Sequence, residues 1–332
     1  MTEYYRPLAQ NGPARPEDAL PLAGGSLWFT HAEALGRDGG AELVAASEIP
    51  GDALARLTFT RLPVAGLDMS LPQIMGILNV TPDSFSDGGQ HDAPDVAVAA
   101  ALEMVTAGAA MIDIGGESTR PGAAEVPEAE EIARTAPVIA AIRARVDIPI
   151  SIDTRKLRVA SAAVEAGANL VNDVSGLTFD PMLAPYCAGE ELPVCVMHSQ
   201  GDPATMQDDP HYDDVLLDVY DFLEDRIVAL EVAGIPRTRI LADPGIGFGK
   251  TQAHNLALLK NLSIFHGLGC PILLGVSRKG FIGRIGEEPV AARRAPGSIA
   301  VGLAALAQGV QILRVHDVRE TVQALRLWQA VR

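Results

Sequence analysis

No run in the chain is apolar for long enough to span a bilayer, and Met1-Thr-Glu-Tyr-Tyr-Arg6 lacks the apolar segment of a secretion signal. A soluble cytoplasmic protein without membrane contact is the expectation. Cysteine is nearly absent: Cys187, Cys195 and Cys270 form neither a C-x-x-C pair nor an even framework, which excludes a disulfide scaffold and a zinc ribbon. Cys195 and Cys270 sit in or beside apolar runs and read as buried thiols. Aromatic residues make up only 5% of the chain, too few for the core of a typical β-sandwich. Positive charge is also short. Lys156, Lys250, Lys260 and Lys279 are the only lysines, and the formal charge of −16 argues against a nucleic-acid surface. An anionic ligand would have to be held by local cations working against the field of the whole molecule.

What the chain does have is 48% hydrophobic residues over 332 positions, rich in Ala, Val, Leu and Gly. That composition suits helices packed closely on a buried parallel sheet. From about residue 74 onward, short apolar runs alternate with longer segments of helical periodicity. The runs are Ile74–Val80, Met111–Ile114, Pro149–Ile152, Asn169–Val171, Pro193–Met197, Arg239–Ala242, Pro271–Gly275 and Gln311–Val315. The helical segments are Asp95–Ala107, Pro127–Arg145, Lys156–Ala166, Asp213–Ala233, Ala253–Phe265, Gly297–Ala307 and Asp317–Val331. Nearly eight strand–helix pairs in roughly 250 residues predict an α/β fold of the (β/α)8, or TIM-barrel, type. Glycine in Ala107-Gly-Ala109, Ala166-Gly-Ala168 and Ala233-Gly-Ile235 marks helix ends. Residues 71–332 are assigned to the barrel and residues 1–70 to an N-terminal extension. Within the extension, Met1–Ala19 is rich in proline and polar residues and is expected to be mobile. Ser26–Thr30 and Leu57–Leu62 read as strands.

Polar residues fall at the strand ends. After the first run comes Asn79-Val-Thr-Pro-Asp-Ser-Phe-Ser-Asp-Gly-Gly89, and after the second Gly115-Gly-Glu-Ser-Thr-Arg-Pro-Gly122. The third to fifth are followed by Asp153-Thr-Arg155, Asn172-Asp-Val-Ser175 and Met197-His-Ser-Gln-Gly201. The last three carry Asp243-Pro-Gly-Ile-Gly-Phe-Gly-Lys250, Ser277-Arg-Lys279 and Arg314-Val-His-Asp317. A (β/α)8 barrel brings all eight of these segments to one rim.

Two carboxylates and an amide, Asp153, Asp243 and Asn172, would face the barrel mouth from different strands. Carboxylates accept paired bonds from an amidine-like N–H edge, so the set suits a flat heterocycle. Asp173 and Asp317 read instead as caps of their loops or helices. Arg120, Arg278, Lys279, Arg314 and His316 form a cationic group, and with Asn79 as a hard oxygen ligand they could hold a diphosphate and Mg2+. Phe85, Met197 and Phe248 offer apolar walls. Gly249-Lys250-Thr251 has the look of a P-loop end, but Pro244 stands where the first glycine is required, so a nucleotide triphosphatase is disfavoured. Ser277 has no marked base beside it.

Ile74-Met-Gly-Ile-Leu-Asn-Val-Thr-Pro-Asp-Ser-Phe-Ser-Asp-Gly-Gly89 and Gly115–Gly122 together resemble the two signatures of dihydropteroate synthases. Ser151-Ile-Asp-Thr-Arg155, Asn172–Ser175, Asp243–Lys250, Ser277–Lys279 and Arg314-Val-His316 match in the same order, and the resemblance covers about residues 72–332. It implies a (β/α)8-barrel transferase of folate biosynthesis, a Mg2+-using homodimer. Such enzymes join 6-hydroxymethyl-7,8-dihydropterin diphosphate to p-aminobenzoate, giving 7,8-dihydropteroate and pyrophosphate. By motif, Asp153, Asn172, Asp243 and Lys279 would bind the pterin, with Met197 and Phe248 nearby. Arg314 and His316 would take the diphosphate, Asn79 the metal, and Ser277 would contact substrate. Asp153, Lys279 and Arg314 would carry the catalysis. Phe85, Thr119, Arg120 and Pro121 would close over p-aminobenzoate. One departure stands out: many members have Ser after Ser-Arg-Lys, near the aminobenzoate carboxylate, where this chain has Gly280. The competing readings are a pterin-binding methyltransferase with a corrinoid partner, which would not need the Ser-Thr-Arg-Pro and Arg-Val-His elements, and a noncatalytic homologue, which would have lost Asn79, Arg120, Lys279 or His316.

Overall fold

The computed structural model of the chain describes residues 3–81, 93–118, 125–201 and 206–331. Ahead of the barrel lie β1 (Tyr4–Pro7), β2 (Leu20–Pro21), β3 (Trp28–Phe29), β4 (His31–Leu35), β5 (Ala41–Ala45) and α1 (Gly51–Thr58). Then strands and helices alternate: β6 (Gln73–Asn79), α2 (Ala93–Ala107), β7 (Met111–Gly115), α3 (Glu128–Arg143), β8 (Ile150–Asp153), α4 (Leu157–Glu165), β9 (Leu170–Asp173) and α5 (Leu183–Gly189). There follow β10 (Val194–Met197), α6 (Val215–Val232), β11 (Ile240–Asp243), α7 (Gln252–Lys260), β12 (Leu273–Leu274), α8 (Gly280–Ile285), α9 (Ala295–Leu306), β13 (Ile312–Val315) and α10 (Val318–Ala330).

The eight strands β6 to β13 form one parallel sheet in sequence order, with β13 back beside β6. A parallel bridge from Ala242 to Ile272 joins β11 to the approach of β12 and closes the ring. This is the (β/α)8 barrel that the spacing predicts. Strand period decides what each side chain faces. One set, including Ile74, Ile112, Ile150, Ile152, Val171, Val194, Val196 and Ile240, packs outward in the core shared with the helices. The alternate set, Met75, Met111, Leu170, Cys195, Leu241, Leu273 and Ile312, forms a separate cluster inside the barrel. Two residues further along, four of these strands turn polar, at Asp113, Asn172, Asp243 and Arg314. Polarity therefore rises along the barrel axis from the strand starts to the strand ends.

Glycine ends the helices as expected. At Gly167 the chain turns with φ 115°, and Ala168 N bonds back to Ala163 O before β9 begins. Among the described residues no helix is long and apolar enough to cross a membrane.

The first 70 residues depart from their reading. Tyr4–Pro7 lies within the stretch expected to be mobile, yet it pairs antiparallel with β4, and Tyr4 is buried. β4 also pairs with β5, whose Ala- and Glu-rich sequence carried no strand signal. Leu57–Leu62 is not a strand: Leu57 and Thr58 complete α1, and Leu57 is the residue α1 buries. A short apolar run cannot by itself separate one helical turn from a strand. This unit has its own core of Leu22, Leu27, Phe29, Ala32, Ala46, Ile49 and Leu57. It docks on the barrel wall through buried Arg61, which donates to Arg56 O and, at 2.9 Å, to His266 O. Around this contact Tyr4 donates to Asp221 and Arg37 pairs with Asp218 and Asp221 of α6. Exposed pairs of that kind contribute little each.

Past α1 the chain folds a tight turn, with Val64 and Leu67 bridged, that reaches the barrel's lower end. Val64 and Met69 pack into the interior cluster with Met75, Met111 and Leu273. Met69 is 1% exposed. Met69→Ala should lower the unfolding free energy by about 2–5 kcal/mol in urea titrations. Leu43→Ala, at a side chain 61% exposed, should stay within about 0.5 kcal/mol of the parent. Equal losses at both positions would show that Met69 does not act as a plug.

Candidate active site

Arg314, on β13, lies across the barrel interior from the strands it contacts. Its Nε donates to Asp113 Oδ2 at 2.6 Å, and its Nη2 donates to Asp153 Oδ2 at 2.8 Å. Asn172 Nδ2 reaches both oxygens of Asp113 at 3.4 Å. Strands β7, β8, β9 and β13 are thus tied through one polar floor. Asp113 is fully buried, whereas the Arg314 side chain keeps 21% exposure and stays reachable from the mouth.

Asp243, the last residue of β11, completes the acidic side. Its Oδ1 accepts from Gly245 N at 2.7 Å. Its Oδ2 faces bare Gly275, where a methyl group would sit 3.9 Å away. Three buried carboxylates here face two cations, Arg314 and Lys279. Burial pushes the Asp153 carboxyl up to about 7 against the lowering influence of Arg314, with Asp113 adding to the rise. Burial likewise raises Asp243, while the Gly245 N–H and Lys279 oppose it. Lys279 moves the other way, down to about 8, because burial outweighs the attraction of Asp243. Its Nζ bonds Ile246 O and lies 4.3 Å over the Phe248 ring.

The remaining assignments separate into those brought together and those not. Asp153, Asn172, Asp243, Lys279 and Arg314 surround the floor, and Met197 is buried at the end of β10. Ser277 Oγ accepts from His316 N at 3.1 Å and lies 2.9 Å from His316 Nδ1, a pairing that sequence spacing did not mark. Asn79 ends β6; a methyl on Gly115 would sit 3.8 Å from both Asn79 Oδ1 and Asp153 Oδ2. Phe85, Thr119, Arg120 and Pro121 lie outside the described residues.

Arg278 does not join the cationic group. Its guanidinium makes a two-point pair with Asp317, Nε to Oδ2 at 3.0 Å, so its charge is matched locally. Asp317 accordingly makes no side-chain cap on α10, although it occupies the N-cap position. Asp173 does serve its own loop, accepting from Ser175 N and Leu177 N. Lys250 also has a structural role. Its Nζ bonds His198 Nδ1, Gly245 O and Phe248 O at 2.7–3.0 Å. That staple fixes the glycine-rich turn carrying Phe248, and the turn is tight: a Cβ on Gly245 would overlap His198 O. Burial lowers both groups, His198 to about 2 and Lys250 well below the usual lysine range.

Asp113 is the functional position that sequence reasoning passed over, because attention fell on residues after each strand. Its signal was present: a lone carboxylate inside the apolar run Met111–Gly115, at the inward register. Glu117 and Lys156 were missed too. Glu117 accepts from Val126 N at 2.9 Å, and Lys156 Nζ donates to Val126 O and to Glu131. They hold the stem of the segment that carries Thr119 and Arg120.

Comparison with known proteins agrees with this geometry. A family model described as "Pterin binding enzyme" matches residues 75–316. The dihydropteroate synthase of Escherichia coli K12 is 48% identical over 264 residues, 80% of this chain and 93% of that relative. That of Bacillus subtilis is 46% identical over 259 residues, 78% and 88% of the two chains. Among solved structures, the Xanthomonas albilineans dihydropteroate synthase with 4-aminobenzoic acid superposes with a TM-score of 0.77 at 48% identity, covering 82% of this chain and 97% of that one. The same organism's enzyme in complex with 7,8-dihydropteroate gives 0.73 at 45% identity, covering 80% and 95%. The chain belongs to the pterin-binding enzymes and, among them, to the dihydropteroate synthases.

The raised Asp153 has a consequence for stability. A carboxyl that holds its proton more tightly when folded favours the native state at low pH, and that advantage fades as pH rises through the folded pKa. The ligand-free protein should therefore lose stability between about pH 4 and pH 7, and Asp153→Asn should make the decline shallower. Urea midpoints across this window are the check; an unchanged slope in the variant would remove Asp153 from the account.

Proposed function

We propose that the chain condenses 6-hydroxymethyl-7,8-dihydropterin diphosphate with p-aminobenzoate, giving 7,8-dihydropteroate and pyrophosphate in folate biosynthesis, through the floor around Arg314. The observation that carries the assignment of roles is the acid excess of that floor, held in the barrel mouth by Arg314 against Asp113 and Asp153. A flat ring with an N–H edge satisfies it. Asp243 Oδ2 and Asn172 take the polar edge of the pterin, Lys279 takes its acceptor side, and Met197 and Phe248 wall its faces.

The chemistry needs no protein nucleophile. The C–O bond of the pterin's hydroxymethyl carbon breaks, and its electron pair leaves with pyrophosphate. Positive charge spreads into the ring, where Asp153 and Asp243 favour it. The arylamine nitrogen then bonds to that carbon and releases one proton. Arg314 and His316 hold the diphosphate, Ser277 fixes the His316 ring, and Phe85, Thr119, Arg120 and Pro121 exclude water above p-aminobenzoate. Asn79 would offer Mg2+ the hard oxygen Oδ1; it and the Asp153 Oδ2 that Arg314 bonds each lie 3.8 Å from the position a methyl group on Gly115 would take. Bound there, Mg2+ would neutralise charge on the leaving diphosphate. At the aminobenzoate end, the space that a side chain at Gly280 would enter lies 3.2 Å from Arg284 Nη1.

The working form is a cytoplasmic homodimer. α9 contains no charged residue, and its Pro296, Ala300 and Ala304 are exposed, an apolar face that a second copy would cover.

Purified protein supplied with both substrates and Mg2+ should release dihydropteroate and pyrophosphate, and absence of product would sink the synthase assignment. Asp153→Asn should cut turnover by about 10²–10³-fold while changing pterin affinity far less. Unchanged turnover with lost affinity would contradict its catalytic role. In sedimentation velocity the parent should run as a particle of twice the 34.9 kDa chain mass and Ala304→Arg as a monomer; a monomeric parent would refute the dimer.

A further inference from the structure

Beside the acidic floor, over the segments that follow β8, β9 and β10, lies a cavity of about 360 Å³ with an opposite character. None of the described residues lining it is acidic, and its one charged side chain is Arg155. Arg155 is 8% exposed, and its Nε has no hydrogen-bond partner. Its Nη2 has a 3.4 Å contact with Glu117 Oε2, an oxygen that Lys156 Nζ shares at 3.3 Å. The guanidinium carbon lies over Phe179, 4.3 Å from the ring centroid, while Phe179 itself is 44% exposed. Glu117 and the nearby Asp173 match the charge of Arg155, but the unbonded Nε leaves donor capacity for a ligand.

The rest of the lining is apolar or hydroxylated. Phe222, Phe248 and Met206 supply ring and thioether surface. Ser175 Oγ accepts from Phe179 N, which leaves its own hydrogen to donate. Engineered cavities of about 150 Å³ hold benzene, so this volume has room for one ring and a polar substituent. A cation at one end, aromatic walls and hydroxyls between define the chemical class: a small flat acid. In a molecule of formal charge −16, long-range attraction would not concentrate such an anion, so Arg155 has to supply the recognition itself.

We infer that this cavity is a second small-molecule site, taking an aromatic carboxylate with its charge against Arg155 and its ring against Phe222, Phe248 and Met206. It is separate from the reacting centre described above and shares only the Phe248 ring with it, so it stands or falls independently of the synthase assignment. Arg155 sits two residues beyond Asp153, and an acid bound there occupies the rim next to the pterin floor.

Two measurements test it. Crystals soaked with 4-bromobenzoate should show the bromine by anomalous scattering among Phe222, Phe248 and Met206, with the carboxylate at Arg155. Bromine only near Lys279, or none, overturns the site. Calorimetric titration with benzoate should show about tenfold weaker binding in Arg155→Met, where the new side chain can still cover Phe179, and little change in Lys279→Met. Parental affinity in Arg155→Met, or loss confined to Lys279→Met, overturns it as well. The soak uses the unaltered protein and decides the matter even if Arg155→Met fails to fold.

Discussion

The polar floor of this barrel is arranged around a guanidinium that bonds two carboxylates. Arg314 reaches Asp113 on β7 and Asp153 on β8, and through Asp113 it orients Asn172 on β9. Removing these charges from water costs several kcal/mol per ion. Mutual attraction offsets only part of that, which is why Asp153 holds a proton up to about 7 and Asp243 is also raised. The protein keeps a destabilised cluster where an apolar layer would pack more easily. The lower interior, built of Met75, Met111, Leu170 and Leu273, shows that the same barrel can be filled without charge. Stability and chemistry are divided along one axis.

That division explains why the barrel was legible in sequence and parts of the site were not. Strand period and the steady recurrence of Asp, Asn, Ser and Arg at the ends of apolar runs locate Asp153, Asn172, Asp243, Lys279 and Arg314 without coordinates. Asp113 sits two residues before its strand ends, so a search of the loops misses it, although a carboxylate inside an apolar run is itself conspicuous. Arg278 fails for another reason. It lies where a ligand-binding cation would lie, and only the fold brings up what absorbs it, Asp317, 39 residues away; the partner of Lys250, His198, 52 residues away, was equally invisible. Sequence distance hides pairing.

The N-terminal unit was the least readable part. Its strands are two to five residues long, and β5 follows Gly39 and Gly40 and carries an exposed Leu43. Such strands are specified by partners more than by their own composition. Its attachment is also distributed: a buried arginine against carbonyl oxygens, a tyrosine against α6, and a serine, Ser263, donating to Pro7 O at 2.8 Å. No short motif encodes an interface made this way.

Val64 and Met69 fill the lower opening of the barrel, and this has a bearing on traffic. With that end stopped, molecules come and go by the same doorway at the strand ends. Whatever rests on Arg314 and its carboxylates must enter before anything settles nearer the rim. Once two such molecules are joined, the deeper half can leave only by following the outer one. Sealing the far end thus imposes an order of arrival and departure without any moving part at that end.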